Sequence, residues 1–375
     1  MTLNQEQFDI LIHKLEVFGR KQPNVYKLRL ALLATLGYAY IFVILAATLA
    51  LLTGIIWLML TSRSFHTGAI KITIFLTIFG LILLRSLWVS FPPPTDLYLK
   101  RKDFPGLYAL VDELSSKLQA PCFHSILITD DFNAAVMQRP RLGLLGWQQN
   151  YLIIGLPLML ALTTEQFRAV LAHELGHLSG NHSRFSAWIY RQRSTWYRIA
   201  KELGEGGNET SWFIFEWFLK WYVPFFNAYS FVLARMNEYE ADQCAVELTG
   251  AKNTASALIN ADIKAKFLEN SFFSNIYKQI NTEIEAPKSV FTEMKAAFSK
   301  KIDSTESRLY LTQALAEETN NDDTHPCLSD RLNALQCLPK NQEQISLPTT
   351  IKVSAAREIL GTALDNLNLR NFRFN

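Results

Sequence analysis

The chain has 375 residues, of which 49% are hydrophobic and only 19% charged, with a net charge of +3. That length allows two domains, or one domain joined to a membrane part, and the small net charge leaves no electrostatic footprint for a nucleic-acid partner. The four cysteines (Cys122, Cys244, Cys327 and Cys337) show no Cys-x-x-Cys spacing, which argues against a cysteine-built metal site and predicts free, mostly packed thiols.

Residues 1–28 are polar and mixed, with Phe8, Leu11, Leu15 and Phe18 at helical spacing. The stretch is too long and too acidic for the basic leader of a secretory signal, so it predicts an amphipathic helix on a partner or a membrane surface. Residues 29–92 then hold two apolar segments. No charge interrupts Leu30 to Thr61, more than the roughly 20 apolar residues a bilayer core requires of a helix. The second segment, Thr67 to Phe91, carries Lys71 and Arg85; both lie toward its ends, where they can snorkel to the headgroups.

Cations flank the pair on its outer sides: Lys14, Arg20, Lys21, Lys27 and Arg29 before it, Lys100, Arg101 and Lys102 after it. The connecting loop has only Arg63 and Lys71. The positive-inside rule therefore predicts a hairpin with both outer flanks cytoplasmic. "FPPPTD" (Phe91 to Asp96) ends the second helix, because consecutive prolines cannot continue it. Residues 93–338 are then expected to form a cytoplasmic domain, followed by an extension, 339–375, with no legible motif.

"TTEQFRAVLAHELGHLSG" reads as one helix. Thr163 and Gln166 make a capping box, Phe167, Val170, Leu171 and Leu175 an apolar face, and Gly180 a C-terminal stop. On it His173 and His177 are one turn apart on one face, so that two imidazoles can meet one zinc ion. Glu174 lies about 100° round the helix from His173, where it can serve water as a general base without ligating the metal.

Zinc needs a third protein ligand. His182 follows Gly180, but in the His-Glu-x-x-His-x-x-Gly-x-x-His pattern the last histidine would fall at position 183, which is Ser183. "ARMNEYEADQCAVELTG" offers Glu238 and Asp242 one turn apart on another helix. A carboxylate from a second helix can complete a two-histidine site, and Asp242 could fix the tautomer of a ligating imidazole. Taken alone, that stretch reads more readily as an ordinary acidic helix surface.

"VLAHELGHLSGNH" followed by "RMNEYEAD" resembles the zinc metallopeptidases of the HtpX heat-shock and CAAX prenyl protease type. The resemblance covers roughly Asp103 to Leu338 and implies a zincin-type domain, mainly α with a small β-sheet, behind the two-helix transmembrane hairpin. It implies one Zn(2+) per subunit held by His173, His177 and Glu238, with Asp242 and Arg331 supporting the ligands. "FNAAV" resembles the family's Asn-Ala segment before an edge strand, which implies that Asn133 and Ala134 meet the substrate backbone. "THPCLSDRLNAL" resembles its His-Pro…Arg motif, which implies that His325 stabilises the oxyanion. Ala135 departs from the phenylalanine common in the family.

"NYLIIGL" (Asn150 to Leu156) reads as a strand ending at Gly155. By the resemblance it would be an exposed edge to which an extended substrate adds, placing Tyr151 and Ile153 against substrate; without it, a buried central strand is equally open. The aromatic segment 211–234 raises a topological question, since His177 and Glu238 cannot meet one ion across a single bilayer crossing. It is therefore expected to lie in the interface or over the domain, not to span. The resulting expectation is a membrane-bound metalloendopeptidase of a bacterial inner membrane. It would hydrolyse polypeptides with zinc-activated water, Glu174 as base and His325 at the oxyanion, with quality control as a role. A zinc-containing scaffold or pseudoprotease is the alternative that the presence of Glu174 disfavours.

Overall fold

The capping box foreseen at Thr163 forms as expected: its hydroxyl accepts from the Gln166 backbone N–H, and the Gln166 side chain accepts from the Thr163 N–H. The computed structural model describes residues 4–63, 66–87, 92–141, 147–205, 209–282, 290–300, 302–321, 323–339, 344–347 and 351–367. Phe91, the expected end of the second apolar segment, lies outside these residues, as do the side chains of His182 and of residues 211–216. The described chain is mostly helical with one four-stranded sheet, an α+β architecture. Two compact units divide it. One comprises Met1–Pro92, Pro140–Gln148 and Arg184–Met236; the other comprises Pro93–Arg139, Gln149–Ser183 and Asn237–Asn375.

The first unit begins with α1 (Gln5–Lys21), started by an Asn4–Gln7 capping box. α2 (Pro23–Ser62) opens with proline at its first position, where the missing N–H costs nothing, and α3 (Thr67–Leu87) packs along α2. α2 and α3 are the two described helices long and apolar enough to cross a membrane, and only 17% of the most apolar stretch of each is buried. α2 behaves differently along its length. Tyr26, Leu30, Ala34 and Ile41 are buried with residues of α1, of α7 (Gly180–Glu205) and of α8 (Glu209–Thr249), including Trp196, Phe218, Tyr222 and Phe226. Gln192 and Tyr222 donate to the backbone carbonyls of Ala34 and Leu33. Farther along, Leu49, Leu51, Trp57, Leu58 and Leu60 are exposed.

In the second unit β1 (Leu97–Leu99) pairs antiparallel with β2 (Ser125–Thr129), and β2 runs parallel to β4 (Gln148–Gly155). The sheet order is β1-β2-β4-β3, with β3 (Ala134–Pro140) at the edge. This corrects one expectation. β4 ends at Gly155 as read, but it is an interior strand and the edge is β3. β4 carries Asn150, Tyr151, Leu152 and Ile154 buried, the near-continuous burial of a strand covered on both faces.

Around the sheet, α4 (Pro105–Leu118), α5 (Leu156–Ala161), α6 (Thr164–Gly176) and α9 (Ala251–Phe267) bury one apolar core. A π-helical turn, Leu268–Phe272, links α9 to α10 (Phe273–Thr282). α11 (Val290–Ser299) and α14 (Ala355–Leu360) close over the same core. The other face of α9 packs on α12 (Ser304–Ala316) and α13 (Leu328–Ala334).

Candidate active site

α6 ends at Gly176, four residues before the stop expected at Gly180, which instead begins α7. His177 caps α6 and keeps right-handed helical angles (φ −61°, ψ −22°), so its side chain remains on the His173 face. The rings of the two histidines lie 4.9 Å apart and nearly perpendicular. Gly176 allows α8 to come close: a Cβ there would sit 3.1 Å from the Ala241 Cα and 3.0 Å from the Cys244 Cβ. That approach brings Glu238, three residues before Ala241, to the histidines.

Glu238 Oε2 lies 3.4 Å from His173 Nε2, and Oε1 lies 3.6 Å from His177 Nε2. His173, His177 and Glu238 each offer one donor atom within 4.8 Å of the others. Glu238 is 6% exposed, and its Oε2 is buried without a hydrogen-bond partner. A buried carboxylate that faces two imidazole nitrogens, one of its oxygens orphaned, suits a cation, and two imidazoles with one carboxylate suit zinc.

Behind the histidines, His173 Nδ1 donates to Asp242 Oδ1 at 2.9 Å, which fixes the tautomer that turns Nε2 toward Glu238. Arg331 on α13 grips the same carboxylate with both arms of its fork, Nε to Oδ2 at 2.9 Å and Nη2 to Oδ1 at 2.6 Å. Asp242 is 1% exposed. Burial would raise its pKa, but the bonds from Arg331 and His173 outweigh that and hold it at about 2. Burial likewise would lower His173, yet the carboxylates of Asp242 and Glu238 prevail and hold it at about 9. Burial and the neighbouring His173 charge pull His177 down to about 4. Glu174 is pushed up to about 7 by burial, with the His173 charge opposing and that of Glu238 adding. The site is thus an electronegative centre demanding positive charge at the Nε2 end of His173.

His325 stands on the loop before α13, mostly exposed, with Nε2 3.7 Å from Glu238 Oε2. Asp323, which sequence reasoning passed over, orients it: Asp323 Oδ1 meets His325 Nδ1 at 2.9 Å and accepts from the His325 backbone at 3.0 Å. The only hint had been the acidic run ahead of the histidine. Asn133 and Ala134 line a cavity of about 220 Å³ together with His173, Glu174, Asp242, His325 and Arg331. Gly155 holds this corner together. A Cβ there would fall 1.9 Å from the Asp131 carbonyl oxygen, and its N–H donates to the Asn133 carbonyl at 2.7 Å. Tyr151 and Ile153, on interior β4, are not among the cavity's lining residues. Their expected place beside the substrate is corrected with the position of the edge.

The model of peptidase family M48 matches residues 123–338, a span that includes every one of these side chains. The chain belongs to peptidase family M48. Its M48 domain is therefore a metallopeptidase domain, and the family acts on polypeptides. The crystal structure of S. mikatae Ste24p is similar at 17% identity, covering 83% of this chain and 67% of that one, with a TM-score of 0.32. No curated protein matches. Sequence reasoning did not reach the remaining wall of the M48 cavity, which comes from Phe132, Leu158, Val170 and one face of α9.

Proposed function

We propose that the chain is a membrane-bound, zinc-dependent metalloendopeptidase. The observation that carries this reading is the buried Glu238 carboxylate, its Oε2 without a hydrogen-bond partner beside His173 Nε2 and its Oε1 beside His177 Nε2. His173, His177 and Glu238 would hold the metal and leave a fourth position open. When bound, zinc supplies Lewis-acid polarisation and makes water a nucleophile near neutral pH.

The rest falls to the chain's own groups. Glu174 takes the proton of the attacking water and returns it to the leaving amine. His325, its ring held by Asp323, donates a hydrogen bond to the developing oxyanion. Asp242 keeps His173 Nδ1 protonated, so the Nε2 lone pair stays free for the metal, and Arg331 pins Asp242 in place. Asn133 and Ala134 stand where the edge strand β3 begins, so an extended substrate would pair along β3 with its scissile bond at the cavity.

The exposed part of α2 and all of α3 form the bilayer hairpin, oriented by the flanking cations with the M48 domain cytoplasmic. A bacterial inner membrane and the removal of misfolded proteins are the setting this suits. Protein purified in detergent should cleave casein, lose that activity to a chelator and regain it with zinc. Cleavage that continues in metal-free protein would contradict the reading.

A further inference from the structure

The cavity beside Glu174 is not evenly lined. Phe132, Leu158, Val170, Leu258 and Ala261 give it apolar walls, and into those walls α9 places one more carboxylate, Asp262. Thr254, Ala257, Leu258, Ala261, Asp262 and Ala265 all line it, the i, i+3, i+4, i+7 spacing of a single helix face. Asp262 is therefore presented to the cavity by regular helix geometry and not by a loop.

The two cations that influence Asp262, Arg331 and Lys266, are both committed elsewhere. Arg331 is held by both oxygens of Asp242, and Lys266 pairs with Glu317. The Glu317 charge reaches Asp262 as well and opposes it. Asp262 makes no hydrogen bond or ion pair of its own among the described residues. Burial pushes its pKa up to about 6, the signature of a carboxylate whose charge is poorly compensated. The cavity, at about 220 Å³, is smaller than the roughly 300–1,000 Å³ of sites that enclose whole ligands and is of a size for one long side chain.

We propose that this cavity is a specificity subsite for a lysine or arginine side chain of the substrate, with Asp262 as the residue that selects it. The apolar walls cover the methylene stem, and the carboxylate receives the cationic head, the division of labour those two side chains require. A substrate strand laid along β3 would drop that side chain in beside the scissile bond, because Asn133 and Ala134 and the catalytic pair His173 and Glu174 line the same cavity. The inference rests on the proposed peptidase reading but adds a substrate class to it.

The test uses the full-length protein in detergent with two readouts. In the first, a proteome-derived peptide library is digested and the cuts are mapped by mass spectrometry. Wild type should enrich Lys and Arg about tenfold at one fixed position from the cut, Asp262→Asn should flatten that preference, and Asp262→Lys should replace it with Asp and Glu. In the second, binding of two labelled peptides that differ only in Lys against norleucine is measured by anisotropy on Glu174→Gln. The Lys peptide should bind about tenfold tighter, and adding Asp262→Asn should remove the difference. Cleavage with no basic preference, or a preference unchanged by Asp262→Asn, overturns the subsite and leaves the peptidase reading intact. A Lys preference in binding with no cleavage by wild type upholds the subsite and overturns the peptidase reading.

Discussion

Lys264 lies on α9 with 2% of its surface exposed, its ammonium donating to the Ala161 carbonyl and lying 5.7 Å from the centre of the Phe298 ring. Burial brings its pKa down from 10.5 to about 7. Below about pH 7 the amine is charged in both folded and unfolded chains, and the full cost of burying it is present. Between 7 and 10.5 the folded chain gives up the proton first, the unfolded chain holds more protons, and stability rises with pH. The unfolding free energy of wild type should therefore rise between pH 7 and 9 relative to Lys264→Met, by up to about 1.4 kcal/mol per pH unit, and its thermal midpoint should climb with it. Parallel pH profiles for the two proteins would show that Lys264 stays charged in the fold. At this scale the legible residues were those whose chemistry is local. His173, Glu174 and His177 declare themselves through spacing on one helix. Glu238 does not, because its orphaned oxygen exists only once α8 packs against Gly176. Asp262 was invisible for a related reason: whether its neighbours' charges are already spent is a three-dimensional fact.

Among the elements, the β3–β4 hairpin bears most directly on substrate. Gly155 donates to Asn133 and Arg141 donates to Trp147, bonds that bracket an antiparallel ladder in which the odd-numbered residues of β3 face β4. Ala134, Val136 and Gln138 then direct their backbone groups to the open side. The Ala134 N–H is taken by the Asn133 side chain, so Val136 is the first outward donor beyond the cavity. Val136→Pro should remove that donor without breaking a bond to β4. It should lower kcat/KM for extended peptides about tenfold, the worth of one well-placed hydrogen bond, with zinc content unchanged. Undiminished kcat/KM would mean that substrate does not pair with β3. Of the four strands, β1 and β2 were not read, and β4 alone was legible from its own residues, through its apolar run and Gly155. The order β1-β2-β4-β3 was not, since apolar content reports burial and does not name a strand's neighbours. The helix start at Thr163 was legible because capping is a local hydrogen-bond pattern. Its end was misplaced because the tightening bonds Leu178 N–H to Leu175 and Ser179 N–H to Gly176 close α6 before Gly180.

For the molecule as a whole, α2 is the element that one-dimensional reading compressed most. At 40 residues it is about 60 Å long, twice the roughly 30 Å of a bilayer's apolar core. The charge-free run from Leu30 to Thr61 merges two kinds of apolar surface. One part packs against Trp196, Phe218 and Tyr222; the other remains exposed, as a lipid-facing helix would be. Hydropathy cannot separate them, because protein interior and lipid reward the same residues. The same partnership explains why the aromatic segment 211–234 belongs to a long helix on which Phe218, Tyr222 and Phe226 are buried by protein, while Trp217 and Trp221 are exposed. The central claim, that this M48 domain hydrolyses peptide bonds with Glu174 as the base beside a metal held by His173, His177 and Glu238, is tested most directly on Glu174→Gln. Purified from membranes in detergent, that variant should carry as much zinc as wild type by elemental analysis and cleave casein at least about a hundredfold more slowly. Cleavage at the wild-type rate with zinc in place would contradict the account.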